Sequence, residues 1–453
     1  MNPTDSPKLA SRVPSRCKVL LLGTGGREHA LAWKLRQSRR LAELWVEEGA
    51  NAGLLELGRV CPESTDPRNV FHLERWCERE RIDLVVIGPE APLERDMATL
   101  LAAPGRVVFG PSRDAARIEW DKAYAKHLMR TAAIPTAEGR IFDRAEPALA
   151  YVDAREDAVV VKAAGLCAGK GVVVCSNREE ARDAIHRFMG RREFGDAGAR
   201  VVIEERISGQ ELSVLALVDG RTISILDPCQ DHKQVHEGDL GPNTGGMGAY
   251  CPTPLADDAL LDQVQRQVLV PAVDALRREG IVFRGVLYAG LMLTPAGPKV
   301  LEFNARFGDP ETQPLMVRLD ADLVELLWAT ATGGLDGVDY AFDRRSACCV
   351  VVCSRGYPGS VTKGLPIEGL DEVAAMDDVV LFHSGTARGT GPNSGRVVTA
   401  GGRVVSVTAV GTDLAEARRR ANAAAERIRF DGAFFRRDIG HRVLPVGASA
   451  PAT

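Results

Sequence analysis

The sequence shows no excess of basic residues. Lys and Arg total 57 against 61 Asp and Glu, a net charge of −4, and the pI is near 6.1. A nucleic-acid or membrane-surface role needs a basic face, so neither is expected as the main function, although a local anion site is allowed. The ten cysteines contain no CxxC pair and no Cys/His spacing of zinc type. They read as reduced, mostly buried thiols in a reducing compartment. The first 15 residues are polar, with no apolar h-region, so no signal peptide is expected. No run of 18 apolar residues occurs, so no membrane span is expected either. No internal repeat and no long linker is found. A cytoplasmic protein follows from these absences.

What is present fits a globular chain. The 453 residues suggest about three domains at roughly 100–200 residues each. The hydrophobic content of 45% and charged content of 26% are ordinary. KVLLLGTGGREHALAWKLRQS, from Lys18, reads as strand, Gly-rich turn and helix, the helix having a polar face between its apolar positions. LWVEEG, IDLVVIGPEAPL and VVFGP add short apolar strands. Strands alternating with helices imply a parallel α/β sheet whose ligands bind at the carboxyl ends, where GTGG, GPE and FGP fall.

AVVVKAAGLCAGKGVVV (158–174) reads as strand, glycine loop and strand, followed by a helix from Arg178. VVIEERISGQELSVLALVDG (201–220) reads as strand, turn and strand. Two hairpin-like units with a helix between them suggest an α+β lid. A long helical stretch from Asp257 to Glu279, the strands GVLYAGLML and KVLEFN, and a helix at 322–332 follow. Beyond Ser346 come ACCVVVCS, GGRVVSVTAVG and the helix LAEARRRANAAAERI. The expected division is a disordered tail at 1–16, an N-terminal α/β domain at 17–120, a module at 121–345 with its lid at about 135–204, a C-terminal α+β domain at 346–445, and a tail at 446–453.

Several stretches carry chemistry. Gly165, Gly169 and Gly171 surround Lys170, and Lys162 lies on the strand before them. Glycines let backbone N–H groups approach phosphate oxygens, and lysine neutralises them. The spacing is not a GxxxxGK[ST] loop, and a flexible hairpin with a solvated lysine is the bland alternative. GTGGREH opens a helix whose free N–H groups favour an anion. Position 28 is Glu, so the third glycine of a dinucleotide fingerprint is missing, and a tight turn explains the glycines equally. QDHKQVHEGDLGPNTGGMGAYCP (230–252) reads as a long polar loop, functional or disordered, without metal. In VLEFNARFGDPETQP, Glu302 and Asn304 share one strand face and offer oxygens suited to Mg²⁺, with nucleotide phosphates completing the shell. Arg306 follows on the same side as an oxyanion fork. An N-capped helix start with surface ion pairs is the alternative there.

GGREHA, GPEAPL, FGP, the Lys122 region, VKAAGLCAGKGVVV, QDHK, GPNTGGMGAY, EFNARFGDPETQ and RRDIG, taken together and in order, resemble the phosphoribosylamine–glycine ligase family of the ATP-grasp superfamily, over roughly Lys18 to Leu444. The resemblance implies an N-terminal parallel α/β domain, a two-lobed ATP-grasp module with a mobile lid, and a small C-terminal α+β domain. It implies ATP-dependent joining of glycine to 5-phosphoribosylamine through a glycyl phosphate, in purine synthesis. ATP with Mg²⁺ or Mn²⁺ is the implied cofactor set. Small molecules are the implied partners, and a monomer or weak dimer the implied state.

Position by position, the resemblance assigns Lys122, Lys162, Gly165, Gly169, Lys170 and Gly171 to ATP. Glu204, Glu205 and Ile207 become the adenine hinge and Glu211 the ribose contact. Glu302 and Asn304 become the metal ligands. Arg306, Lys233 and Asp231 are the implied catalytic residues. Gly25, Gly26, Arg27, Glu28, Gly88, Pro89, Glu90, Asn243, Thr244, Gly245, Gly246, Asp309 and Glu311 are assigned to substrate. Two departures stand out: Ala164 where the family often has Asp or Ser, and Asp121 where it often has Ser. Asp121 either weakens ATP binding at Lys122 or points away as a helix cap. The chain is also expected to be one enzyme rather than a fused multi-enzyme form. Other readings are a biotin- or aminoimidazole-type carboxylase, which lacks GPNTGGMGAY; an inactive nucleotide binder, which should have lost Lys162, Glu302, Asn304 or Arg306; and a dinucleotide oxidoreductase, opposed by the missing glycine.

Overall fold

The computed structural model describes residues 12–167 and 170–444. Gly169 and most of the two expected tails (1–11 and 446–453) lie outside the described residues. Five parallel strands open the fold: β1 (Cys17–Leu22), β2 (Leu41–Val46), β3 (Arg59–Val60), β4 (Leu84–Ile87) and β5 (Val107–Phe109), in the order β3-β2-β1-β4-β5. β1 and β4 are buried on both faces, which is why they read as continuous apolar runs. Helix α1 (Gly26–Leu35) follows β1.

The expected polar face of α1 is not solvated. Every residue of α1 except Trp33 is buried, because the helix is covered by later parts of the chain. Its polar groups find partners there: the Lys34 ammonium donates to Leu319 O, and Arg27 Nη1 donates to Phe307 O at 3.0 Å. Two further helices lead out of this unit, α2 (Arg113–Trp120) and α3 (Lys122–Thr131). Ser112 and Asp121 cap them, each accepting a backbone N–H of the first turn.

The lid contains β6 (Gly139–Phe142), α4 (Ala145–Asp153), β7 (Val159–Ala163), β8 (Val172–Val174), α5 (Arg178–Ile185) and β9 (Val201–Glu205), with sheet order β6-β9-β7-β8. Its apolar cluster is its own, from Ala148 and Val152 to Val201 and Ile203. β7 and β8 form the expected hairpin. The second expected hairpin does not exist. β9 pairs with β6 and β7, while β10 (Gln210–Val218) leaves for another sheet with β11 (Ile223–Ile225). The turn between β9 and β10 is therefore a crossing between two sheets, which local sequence does not distinguish from a hairpin turn.

The stretch from Gln230 to Pro252, expected as a loop, is largely strand. It holds β12 (Gln230–Asp231), β13 (Gln234–His236), β14 (Leu240–Asn243) and β15 (Gly248–Cys251). Backbone pairing, rather than apolar alternation, creates these elements: β13 pairs with β14, β12 with β15, and β15 with the distant strand at Ser346–Ser354. The sheet begun by β10 is completed by β16 (Gly285–Thr294) and β17 (Gly297–Asn304), in the order β11-β10-β16-β17. Helices α6 (Thr312–Arg318) and α7 (Leu323–Thr332) follow. The last sheet runs β12-β15-β18-β20-β19, with β18 (Ser346–Ser354), β19 (Val379–His383) and β20 (Arg403–Gly411), and α8 (Leu414–Ala425) packs on it. The segment after β11 thus stitches the middle of the chain to its C-terminal sheet. Among the described residues no helix is long and apolar enough to cross a membrane. All ten cysteines are unpaired, and nine are buried.

α1 docks on β19 through two histidines. His383 N donates to His29 Nδ1 at 2.7 Å, the rings lie 5.5 Å apart, and His383 Nδ1 meets Thr386 Oγ1 at 3.0 Å. Burial pushes His29 down to about 3, the His383 ring adding to it, and burial takes His383 to about 4. Both rings are neutral in the fold. An unfolded chain protonates them near 6.5, so it binds more protons between that value and the folded ones. Stability is therefore full above about pH 6.5 and falls as the pH drops through this window. Each ring should contribute about 1.4 kcal/mol per pH unit. Urea denaturation at pH 7, 6 and 5 checks this: His383→Asn should reduce the acid loss relative to the parent by about that slope, and an unchanged slope would remove the pair from the account.

Candidate functional site

The site is built where the strand order of the first sheet reverses. β1 and β4 are neighbours, so the turns that follow them, Gly23–Glu28 and Gly88–Glu90, lie side by side at the carboxyl edge. Glu28 joins them. Its carboxylate accepts from Gly25 N at 2.8 Å and from Arg27 Nε at 2.6 Å. A Cβ on Gly88 would stand 2.1 Å from Glu28 Oε1, so only glycine admits this contact. The Glu28 side chain thus shapes the turn. Asn51, unnoticed in the sequence, fastens the same turn from the other side by donating to Thr24 O, Gly25 O and His383 O.

The second wall is the end of β17. Glu302 faces Lys233 at 3.9 Å, and Lys233 pairs with Glu211 at 3.0 Å. Burial works to raise Glu302, but the fields of Lys233, Lys162, Lys122 and Arg306 outweigh it and hold the carboxyl below its usual range. Lys233 is held well above the usual range, since Glu211, Asp231 and Glu302 outweigh its burial. Asp231, on β12, is buried, and burial pushes it up to about 7 against the pull of Lys233, with Glu311, Glu211 and Glu302 adding to the rise. Glu311 Oε1 accepts from Tyr288 OH and from Ser213 Oγ, the latter at 3.2 Å, so it organises the wall between β10, β16 and α6.

Arg306 closes the back. Its Nε lies 3.1 Å from Glu119 and 3.7 Å from Glu90, Nη2 donates to Asn304 Oδ1 at 3.2 Å, and Nη1 donates to Phe307 O at 3.1 Å. Burial pushes Glu119 up. Burial acts the same way on Glu90, but Arg306 and Arg27 overcome it and lower that carboxyl. The ion pairs are not the solvated surface pairs of the bland reading: Glu119 and Asn304 are buried, and Arg306 and Glu90 are half-buried. Glu119 and Tyr288 escaped the sequence reading, because their partners lie far along the chain.

Over these walls sits the lid. Lys162 Nζ donates to Leu301 O at 2.9 Å and pairs with Glu204 at 2.7 Å. Lys122 Nζ reaches Gly165 O at 3.4 Å. Lys170 is exposed, and Gly171 O accepts from Ala163 N. Glu204 and Glu205 do not offer free side chains to a base: Glu204 is buried between Lys162 and Lys126, and Glu205 pairs with Lys299 at 3.0 Å and accepts from Glu138 N. Ile207 is half-buried in the crossing turn. Any hinge contact from 204–207 therefore comes from the backbone and Ile207.

The loop at 243–246 is held by the C-terminal sheet and the turn that follows β18. Thr244 Oγ1 donates to Lys233 O at 2.7 Å, Gly245 N donates to Tyr357 OH at 2.9 Å, and Asn243 is exposed. Gly246 has φ +110°, and a Cβ there would lie 2.4 Å from Pro310. Arg403, on β20, donates to Gly245 O at 2.6 Å and to Asp309 O at 2.8 Å, and pairs with the Asp309 carboxylate at 2.9 Å. Gln313 Nε2 donates to Asp309 Oδ1, while Gln313 Oε1 is buried without a partner.

Among the described residues no group of three or more His, Cys, Asp or Glu is placed to hold a metal alone. Glu302 and Asn304 nevertheless fit a hard divalent cation. One is an ionised carboxylate, and the amide oxygen of the other spends one lone pair on Arg306 and keeps one.

The sequence matches the models of three parts of one family: Phosphoribosylglycinamide synthetase N domain at residues 17–119, ATP-grasp (A) domain at 120–312 and C domain at 347–442. A phosphoribosylamine–glycine ligase of Rhodopirellula baltica is 48% identical over 438 residues, covering 95% of this chain and 98% of that one. The protein of the same name from Pseudomonas aeruginosa is 46% identical, covering 94% and 98%. The crystal structure of phosphoribosylamine–glycine ligase from Thermotoga maritima superposes with a TM-score of 0.77 at 31% identity, over 93% of this chain and all of that one.

The Arg403 clamp generates a prediction. Hydrogen bonds to a charged group contribute about 1.5–3 kcal/mol. Arg403→Met should therefore speed amide exchange at 244–247 by about tenfold or more, while β16 keeps its protection. Hydrogen exchange read by mass spectrometry checks it; parent-like exchange would show that Tyr357 and Lys233 suffice to hold the loop.

Proposed function

The chain belongs to the phosphoribosylglycinamide synthetase family, and from that premise we propose that it joins glycine to 5-phosphoribosylamine with ATP, as a carbon–nitrogen ligase of purine synthesis. The observation that carries the reading is the juxtaposition of Glu302, Asn304 and Arg306 with Lys162, Lys122 and Lys233. A carboxylate is a poor electrophile. A glycine carboxylate oxygen attacks the γ-phosphorus of ATP, forming an O–P bond as the bond to ADP breaks. The amine of phosphoribosylamine then attacks the glycyl carbonyl carbon. A C–N bond forms, the C–O bond to phosphate breaks, and a proton leaves the nitrogen.

Each residue has a task in this scheme. Lys122, Lys162 and the glycine loop at 165–171 bind the nucleotide phosphates, the backbone and Ile207 at 204–207 receive the adenine, and Glu211 the ribose. Glu302 and Asn304 would hold Mg²⁺ or Mn²⁺, which would supply neutralisation of the phosphate charge. Arg306, with its guanidinium locked by Glu119 and Glu90, presents one edge to the glycine carboxylate or the transferring phosphoryl. Asp231, with a carboxyl near 7, is suited to taking the amine proton, and Lys233 faces the anionic intermediate. The turns at 23–28 and 88–90, with Asp309 and the 243–246 loop, hold phosphoribosylamine. The working division is 17–120, 121–345 and 346–445, with small-molecule partners only, a monomeric or weakly dimeric state and a cytoplasmic location.

The direct test is ADP release with Mg-ATP and freshly generated phosphoribosylamine, with and without glycine. Release that needs both substrates and yields glycinamide ribonucleotide is expected; bicarbonate-dependent release would favour a carboxylase. Glu302→Gln keeps the side-chain shape but loses the charge, and should cut kcat by about 10²-fold or more with the melting temperature little changed. Near-normal turnover would refute the metal assignment. The lid, with its own core, should gain protection at 135–204 when ATP is added; unchanged hydrogen exchange there would count against closure.

A further inference from the structure

Lys126 belongs to none of the motifs, yet it is 1% exposed. Its ammonium has three partners: Glu204 Oε1 at 2.7 Å, Thr136 Oγ1 at 2.9 Å and Ala137 O at 2.8 Å. The other oxygen of Glu204 lies 2.7 Å from Lys162 Nζ. Both ends of this array reach β17: Lys162 Nζ donates to Leu301 O at 2.9 Å, and Thr136 Oγ1 donates to Val300 O at 2.7 Å. A closed ring of contacts thus runs from α3 through the lid strands β7 and β9 to β17, the strand that carries Glu302.

The charges in this ring set a condition. Glu204 is buried, and two lysines share its carboxylate. Lys162 also lies on β7, the strand that leads into the glycine loop. When its ammonium turns toward a phosphate, Glu204 loses one of its two counter-ions. A buried carboxylate left with none is strongly unfavourable, so without Lys126 the carboxylate would hold Lys162 back. We propose that Lys126 is a positioning residue for nucleotide binding: it is the standing counter-ion of Glu204 and thereby frees Lys162 to exchange that carboxylate for a phosphate. Lys126 touches neither nucleotide nor metal. The inference rests on the reading of Lys162 as a phosphate ligand.

The test is a double-substitution cycle on the full chain, read as the Kd of Mg-ATP by titration calorimetry. Lys126→Met should weaken binding by about tenfold or more, while Lys126→Arg, which keeps the charge, stays within about threefold. Adding Glu204→Gln to Lys126→Met should restore binding to within about threefold of Glu204→Gln alone. A structural lesion would not be reversed by a second substitution at its partner. KM for phosphoribosylamine should move less than about twofold. If Lys126→Met fails to fold, Lys126→Gln closes the cycle, since its amide still donates toward Thr136 and Ala137. Parent-like binding in Lys126→Met, or equal loss with and without the Glu204→Gln change, overturns the proposal. Lys162→Met separates the premise from the inference: parent-like binding there would sink the phosphate reading, whereas loss there with none in Lys126→Met sinks only the role of Lys126.

Discussion

Arg306 is where three distant segments become one electrostatic unit. Glu90 arrives from the turn after β4, Glu119 from the last turn of α2, and Asn304 from the end of β17. None of these tolerates the buried junction alone. Glu119 already has its pKa pushed up by burial, and it also accepts from Ala305 N at 2.7 Å, which ties the end of β17 to α2. Such buried pairs contribute little net stability, but removing one partner costs about 3–5 kcal/mol. They therefore act as a specification: the Asn304 amide, the Glu90 turn and the Phe307 carbonyl can each occupy one place only. The positions of the Asn304 amide oxygen and of the turn at Glu90 follow from that one guanidinium.

The lid obeys a different rule. Its apolar cluster closes within residues 148–203 and shares no side chain with the two larger cores. It is joined to the body chiefly by polar contacts at the hinge: Lys126 on Glu204, Lys162 on Leu301 O, Lys299 on Glu205, and Thr136 on Val300 O. A unit that keeps its apolar contacts when it swings loses little by moving. Polar contacts can be exchanged for equivalent ones, which apolar packing does not allow. The strand that carries Glu302 and Asn304 is anchored differently. β17 is bonded along its length to β16 and draws on a core continuous with the first sheet.

Local chemistry was legible in the sequence and tertiary chemistry was not. EFNARFGDPE places Glu302, Asn304 and Arg306 within a few residues on a strand end, so their common face follows from the period of two. The parallel first sheet follows from apolar runs stopped by glycine. By contrast, Arg403 lies 158 residues from Gly245, and nothing near it in GGRVVSV announces a clamp. Lys126 sits in a helix pattern, where a lysine reads as solvated. The polar face of α1 misled for the same reason: its Arg and Lys donate to carbonyls, and its His accepts from a backbone N–H, in segments about 280–350 residues away. The 230–252 stretch misled because its strands are made by their neighbours.

Asp121 and Ala164, the two positions set apart by the resemblance, are each held by local structure. Asp121 faces the first turn of α3 and two arginines. Its carboxylate accepts from Tyr124 N at 3.0 Å as the cap of α3 and pairs with Arg117 and Arg200, each at 3.1 Å. Two guanidiniums and a helix N-terminus neutralise it, and although burial opposes them its carboxyl is held below the usual range. Its field at the neighbouring Lys122 is correspondingly small. Ala164 works through its backbone: its carbonyl accepts from Lys122 N at 2.8 Å and its N–H donates to Arg200 O at 3.0 Å. Its methyl is buried against Ala123 and Val202. A residue that contributes only peptide groups can change its side chain as long as the new one is small. The lysine beside it stays in place because the strand and helix cap, not the side chain at 164, set its position.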